Sequence, residues 1–223
     1  MEAGEKILSA FEPKLCARAQ RDLESLGVEV RTRTRVTEVT ADGVRMGDEF
    51  LPAKTILWAA GVQPSSLNRQ IPSGSDSQGR MIVGPDLSLP RFPNVFIIGD
   101  QAHVEDQSGQ TLPGLAPVAM QEGRHAAKNV LRLFQGQSTS AFHYVDKGQM
   151  ATIGRSRAVV EFGRLRFGGL FAWLTWLFIH IFYLIGFKNR LFVFIQWAWS
   201  YMTFKKGARL ILDKEWRSNP RSR

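Results

Sequence analysis

Apolar positions along the chain change period several times, and each change predicts an element. Leu15, Ala19, Leu23 and Leu26 recur at helical spacing behind Pro13, and Gly27 closes the run, so a helix is expected over 13–26. VEVRT (28–32) and RVTEV (35–39) alternate as strands do, and ADG (41–43) reads as a tight turn. TILWAAG (55–61) and NVFIIGD (94–100) are continuous apolar runs ending in small or turn residues, the pattern of strands buried on both faces. Between them, 66–80 is polar and loop-like, the expected crossover between subdomains. From Pro117 to about Gln135 the spacing is helical again, and 137–165 reads as short strands. Alternating strands and helices with two doubly buried strands predict an α/β fold with a parallel sheet of the nucleotide-binding, Rossmann-like kind. No internal repeat is evident.

The last third is different. FGGLFAWLTWLFIHIFYLIGF (167–187) is 21 residues of apolar sequence, about 31 Å as one helix and long enough to span a bilayer core. Lys188-Asn189-Arg190 follows, and a second apolar helix is expected over 191–206, with Gln196, Ser200 and Thr203 on one face. That second run is too short to span and reads as an interfacial amphipathic helix. Basic residues stand at every break: Arg164 and Arg166, Lys188 and Arg190, Lys205, Lys206 and Arg209. A single spanning helix would strand one basic cluster on the outer side, so a monotopic helical pair on the cytoplasmic face is favoured over the single-pass alternative.

Charge sharpens this reading. Residues 1–150 carry 16 Lys and Arg against 17 Asp and Glu, whereas 151–223 carry 13 against 3. The excess of nine positive charges therefore belongs to the segment rich in Trp, Phe and Tyr, which points to an anionic lipid surface and away from nucleic acid. A single cysteine, Cys16, excludes a disulfide framework, a CxxC redox pair and a cysteine-based zinc site. His103, His125, His143 and His180 are scattered without ligand spacing, so no metal site is expected.

Two stretches carry candidate chemistry. Ligands of an open parallel sheet sit at the carboxyl ends of its strands, where Gly99 allows close backbone approach and Asp100 offers a carboxylate to sugar-type hydroxyls. LPGLAPVAMQEGRHAAKNV (112–130) is a glycine-containing turn entering a helix, whose N-terminus favours an anionic ligand such as a reduced flavin. Gln121 lies one turn past Pro117 on the same face, able to hydrogen-bond a carbonyl.

Taken in order, GVEVRTRTRVTEV, TILWAAGVQPS, NVFIIGD, LPGLAPVAMQEGRHAAKN and DKGQMATIGRSRAVVEFG resemble type II NADH dehydrogenases. These are the non-pumping NADH:quinone oxidoreductases of the two-dinucleotide-domain flavoproteins, and the chain resembles their C-terminal half. The resemblance implies FAD and NADH as cofactors, a membrane quinone as electron acceptor and a place in respiratory electron transport. Glu2 matches the acid that binds the adenosine ribose some 20 residues after a GxGxxG fingerprint. That fingerprint and the N-terminal FAD domain would then lie outside the chain.

The resemblance also assigns residues. Ala60 and Gly61 match the small residues that let the nicotinamide lie close to the flavin. Gly99 and Asp100 match the contact to the ribityl chain or pyrophosphate. Ala116, Met120 and Gln121 fall in an AQxAxQ-type segment beside the isoalloxazine and quinone head; here it reads APVAMQ, Pro117 replacing the first glutamine. Lys147 matches a lysine near the quinone pocket. Gln121 and Lys147 are thus the expected catalytic residues. The implied domains are 1–65 (NADH-binding part), 66–136 (FAD-binding part) and 137–223 (C-terminal domain with its anchor). A homodimer or a complementing N-terminal half is the expected protein partner, and the rival expectation is a catalytically inactive membrane-bound fragment.

Overall fold

A computed structural model describes residues 1–184 and 186–203. The chain divides into two compact units, one formed by Met1–Arg35 with Gln149–Arg223 and the other by Val36–Gly148. The sequence-read limits at 65 and 136 both fall inside the second unit.

The first unit is built on α1 (Pro13–Glu24), and on β8 (Gln149–Gly154), β9 (Arg157–Phe162) and β10 (Leu165–Gly168). Pro13 sits where its missing N–H costs nothing, and the Glu12 carboxylate accepts the Lys14 N–H at 2.9 Å, capping the helix. Gly27, at φ +82°, ends the run with the Val28 N–H returned to the Leu23 carbonyl. The three strands form an antiparallel sheet with β9 in the middle. Because side chains alternate along a strand, β9 serves two cores. Val159 packs with Phe11, Leu15, Cys16 and Ala19 of the α1 side. Ala158 and Val160 pack with Ala172 of α3 (Leu170–Phe182) on the other. At Gly169, the cap of α3, φ is +88°, a conformation that favours glycine.

The expected 21-residue helix over 167–187 does not form. Residues 167 and 168 complete β10, α3 has 13 residues, and Gly186 at φ +81° separates it from α4 (Phe187–Thr203). A 13-residue helix rises about 20 Å, short of a bilayer core. Among the described residues no helix is long and apolar enough to cross a membrane. Lys188-Asn189-Arg190 lies in the first turn of α4 rather than in a break. The expected end of that helix at 204–206, with Lys205, Lys206 and Arg209, lies outside the described residues. The two helices pair through Trp176 stacked on Trp197 (5.8 Å) and Trp173 against Tyr201 (5.1 Å). Phe171, Phe178, Phe187 and Met202 stay exposed, and α3 and α4 enclose an apolar groove of about 480 Å³.

The second unit begins with an antiparallel meander, β1 (Glu38–Val39), β2 (Gly43–Met46) and β3 (Glu49–Pro52). Next come β4 (Met81–Ile82), β5 (Ser88–Leu89), β6 (Phe92–Phe96), β7 (Ala102–His103) and the long α2 (Ala116–Phe134). Its core gathers Leu87, Ala102, Val104, Leu112 and Val118. The same turn is built twice, on either side of the β4–β7 pair. Asp76 Oδ1 accepts the Gln78 and Arg80 N–H groups, and Asp106 Oδ1 those of Ser108 and Gln110.

Three strand expectations are corrected. Residues 28–32 form no strand; their neighbourhood hydrogen-bonds to residues 2–4, as in Glu2 N–H to the Arg31 carbonyl at 2.8 Å. Residues 55–61 form none either, and Leu57 is 90% and Trp58 66% exposed. A strand apolar on both faces needs a ladder on each edge and a layer on each face, and among the described residues none pairs with this one. NVFIIGD contributes only to β6, which pairs antiparallel with β5. The expected parallel sheet is reduced, among the described residues, to the two-residue pair β4–β7.

Candidate functional site

Within the second unit a cavity of about 270 Å³ opens between α2 and the turns that precede it, with Gly61, Gly99, Asp100, Gly114, Val118 and Glu122 on its wall. Val118 anchors this wall, its side chain being part of the unit's core. Gly99 begins a 3-10 turn at φ +67°, a conformation natural to glycine that swings the Asp100 carboxylate to the cavity. A Cβ on Gly114 would stand 3.1 Å from Asp100 Oδ1, so the absence of a side chain there keeps the carboxylate accessible.

The amino end of α2 adds a positive field, though with fewer free donors than its sequence implies. Leu115 provides no side-chain cap, Pro117 has no N–H, and the Val118 and Ala119 amides turn back on the Leu115 carbonyl. The Ala116 amide is what remains of the first turn.

Glu122 is a residue of the cavity wall that the sequence did not reveal. It is 2% exposed, lines the cavity, and its Oε2 accepts the Gly99 N–H at 2.6 Å. Burial pushes its carboxyl above the usual range; the Gly99 hydrogen bond opposes this and neighbouring Asp100 adds to it. The signal was its register: Val118, Glu122, Ala126 and Asn129 form the buried stripe of α2, where an acid is out of place.

Arg80 also reaches the cavity wall. Its Nε donates to Asp76 Oδ2 at 2.7 Å, and Asp76 Oδ2 lies 3.0 Å from His103 Nδ1. Burial alone would raise the Asp76 pKa, but hydrogen bonds from Arg80, His103 and Gln78 outweigh it and hold the carboxyl well below the usual range. This network fixes the Arg80 guanidinium in place.

The sequence-predicted residues distribute unevenly. Gly61, Gly99 and Asp100 meet at the cavity. Ala60 is exposed beside Gly61, and Ala116 and Met120 are exposed on α2 without lining the cavity. Gln121 points elsewhere: its Nε2 donates to the Val145 carbonyl and its Oε1 accepts the Val145 N–H. It thereby joins α2 to the segment carrying Lys147, which is exposed in a turn closed by Asp146 Oδ1 and the Gly148 N–H. Glu2 belongs to the other unit, where its Oε1 accepts the Gly4 N–H at 2.7 Å.

Comparison with known proteins places this geometry. The pyridine nucleotide-disulphide oxidoreductase family matches residues 1–123, and the NDH2 C-terminal domain matches residues 147–205. The type II NADH:quinone oxidoreductase NdhA of Mycobacterium tuberculosis is 38% identical over 228 residues, covering 96% of this chain and 47% of that protein. The type II NADH:quinone oxidoreductase of Staphylococcus saprophyticus is 36% identical over 170 residues, 74% of this chain and 42% of its own length. NDH2 of Plasmodium falciparum, solved in complex with NADH, superposes with a TM-score of 0.78 at 15% identity, covering 93% of this chain and 58% of that one. The chain thus spans about half the length of the curated relatives it matches. With more than half of its residues matched by one family profile, the chain belongs to the pyridine nucleotide-disulphide oxidoreductases, a family of α/β fold.

Proposed function

We propose that this chain forms part of a membrane-attached flavoprotein that moves electrons from NADH through FAD to a membrane quinone. One observation carries the reading: Gly61, Gly99 and Gly114 line one cavity with the Asp100 carboxylate beside the amino end of α2, and Gly114 leaves that carboxylate uncovered. The donor set fits a flavin nucleotide. Asp100 accepts from ribityl hydroxyls, the α2 field and the Arg80 guanidinium favour the anionic portion, and the glycines admit it. When bound, FAD supplies the two-electron redox chemistry, taking hydride from NADH and delivering electrons to quinone.

The chain's own residues bind and orient. Ala60 and Gly61 leave room for the nicotinamide, and Glu2 accepts from the adenosine ribose, favouring NADH because a carboxylate repels a 2′-phosphate. Gln121 holds Val145 on α2, and Lys147 and the exposed Met120 serve as quinone contacts. The exposed aromatics of α3 and α4, with Lys188 and Arg190 at the start of α4, attach the protein monotopically to the cytoplasmic face of an anionic membrane. Such attachment keeps the chain at the surface where a lipid-soluble acceptor resides. A complementing segment or second copy completes the nucleotide sites.

Titration of the full chain with FAD, followed by quenching of flavin fluorescence, tests this. We expect saturable binding, weakened about tenfold in D100A by loss of a charged hydrogen bond. A chain that never quenches flavin would favour the inactive-fragment reading.

A further inference from the structure

We propose that Glu122 is the positioning acid of the cavity: one carboxyl oxygen locks the Gly99–Asp100 turn onto α2, and the protonated oxygen offers a hydrogen bond to the bound ligand. The lock is direct. Glu122 Oε2 lies 2.6 Å from the Gly99 nitrogen, and Gly99 at φ +67° is the residue that sets the direction of Asp100. The bond joins residues 23 positions apart and so ties the turn to α2 across the fold.

The protonation state follows from the surroundings. Glu122 is 2% exposed, shares the cavity wall with the acid Asp100, and among the described residues has no cation within ion-pair distance. Burial and a neighbouring acid both favour the protonated form of this carboxyl. The other charged or polar side chains on that wall are Arg80 and Gln78, both from the turn before β4. The upward displacement of the Glu122 titration agrees with this arrangement. In the protonated form, with Oε2 accepting from Gly99, the other oxygen can carry the hydroxyl and donate to a ligand oxygen.

The two acids then divide the work. Asp100 accepts from hydroxyls, while Glu122 donates to a phosphate or hydroxyl oxygen without the repulsion a second carboxylate would bring. The ligand class is a phosphorylated polyol, met by the ribityl phosphate part of a flavin nucleotide, and to that extent the inference rests on the proposed function.

Two measurements on the full chain in lipid nanodiscs separate the parts. In the first, the Gly99 amide resonance is followed by NMR from acid to neutral pH. We expect it to titrate with a midpoint above the ordinary glutamate value of 4.5 in the wild type and to stay flat in E122Q. A Gly99 resonance that does not move, or moves at the ordinary value, overturns the lock. In the second, FAD is titrated into wild type, E122Q and E122L. We expect E122Q, which keeps both an acceptor and a donor, to bind within about twofold of wild type and to lose its pH dependence, and E122L to bind about tenfold more weakly. Equal binding by E122L, or wild-type binding that does not weaken as pH rises through the Gly99 midpoint, overturns the donor role. Absence of FAD binding in the wild type removes the donor role together with the flavin reading, while the Gly99 titration still decides the lock.

Discussion

Gln121 commits both ends of its side-chain amide to one backbone unit, donating to the Val145 carbonyl at 3.0 Å and accepting the Val145 N–H at 3.1 Å. A glutamine expected at a quinone therefore works first as a clamp between α2 and the Lys147 segment. In Q121L both backbone groups lose their partner. Hydrogen exchange at the Val145 amide should then rise about tenfold to a hundredfold. An unchanged exchange rate would show that the clamp contributes nothing.

Acid stability should depend on Asp76. Its pKa is held below the ordinary 3.8, so the stabilisation is present above that value and disappears as pH falls toward the folded-state value. Replacing it as D76N should cost roughly 2 kcal/mol at neutral pH and make the acid limb of the stability curve shallower, as read by denaturant melts. Identical acid limbs would contradict the network drawn around Arg80 and His103.

Glu122 should act in the opposite sense. Its folded pKa is raised above the ordinary 4.5, so its favourable contribution is complete below that value and is lost as pH climbs through the folded-state value. In E122Q the corresponding slope should vanish from thermal melts taken across that window. A slope that persists in E122Q would assign it to another group.

The apolar face of α3 and α4 should govern lipid attachment. Phe178 and Phe182 are exposed and line the groove between these helices. The double variant F178D/F182D forfeits the transfer of two phenyl rings, roughly 1.5–3 kcal/mol each, and should fall at least tenfold in flotation with anionic vesicles. Raising salt should weaken wild-type flotation only in part, because screening acts on the basic residues and leaves apolar burial intact. Undiminished flotation of the variant would shift attachment to another surface.

Both long helices of the core were legible because their 3.6 period coincides with Pro and Gly punctuation: Pro13 and Gly27 bracket α1, and Pro117 opens α2. The apolar runs at 55–61 and 94–100 reveal an affinity for burial and nothing about which strands supply it. Leu57 and Trp58 end exposed for want of neighbours among the described residues. The break at 167–187 was written in Gly169 and Gly186, but hydropathy averages over single glycines. Gly99 and Asp100 were singled out by local chemistry, and both line the cavity. Glu122 was not, because an acid in a helix ordinarily faces water, and its partner lies 23 residues away. The bond from Gln121 to Val145 was not legible, since Val145 reaches it only through the fold.

Visible spectroscopy of the full chain, reconstituted with FAD in anionic vesicles containing a menaquinone or ubiquinone, tests the electron path most directly. We expect flavin absorbance to co-migrate with the protein, to bleach on anaerobic addition of NADH and to return when quinone is present. A chain that retains flavin in its cavity yet stays fully coloured under excess NADH would contradict the proposed path, as would bleached flavin that quinone cannot restore.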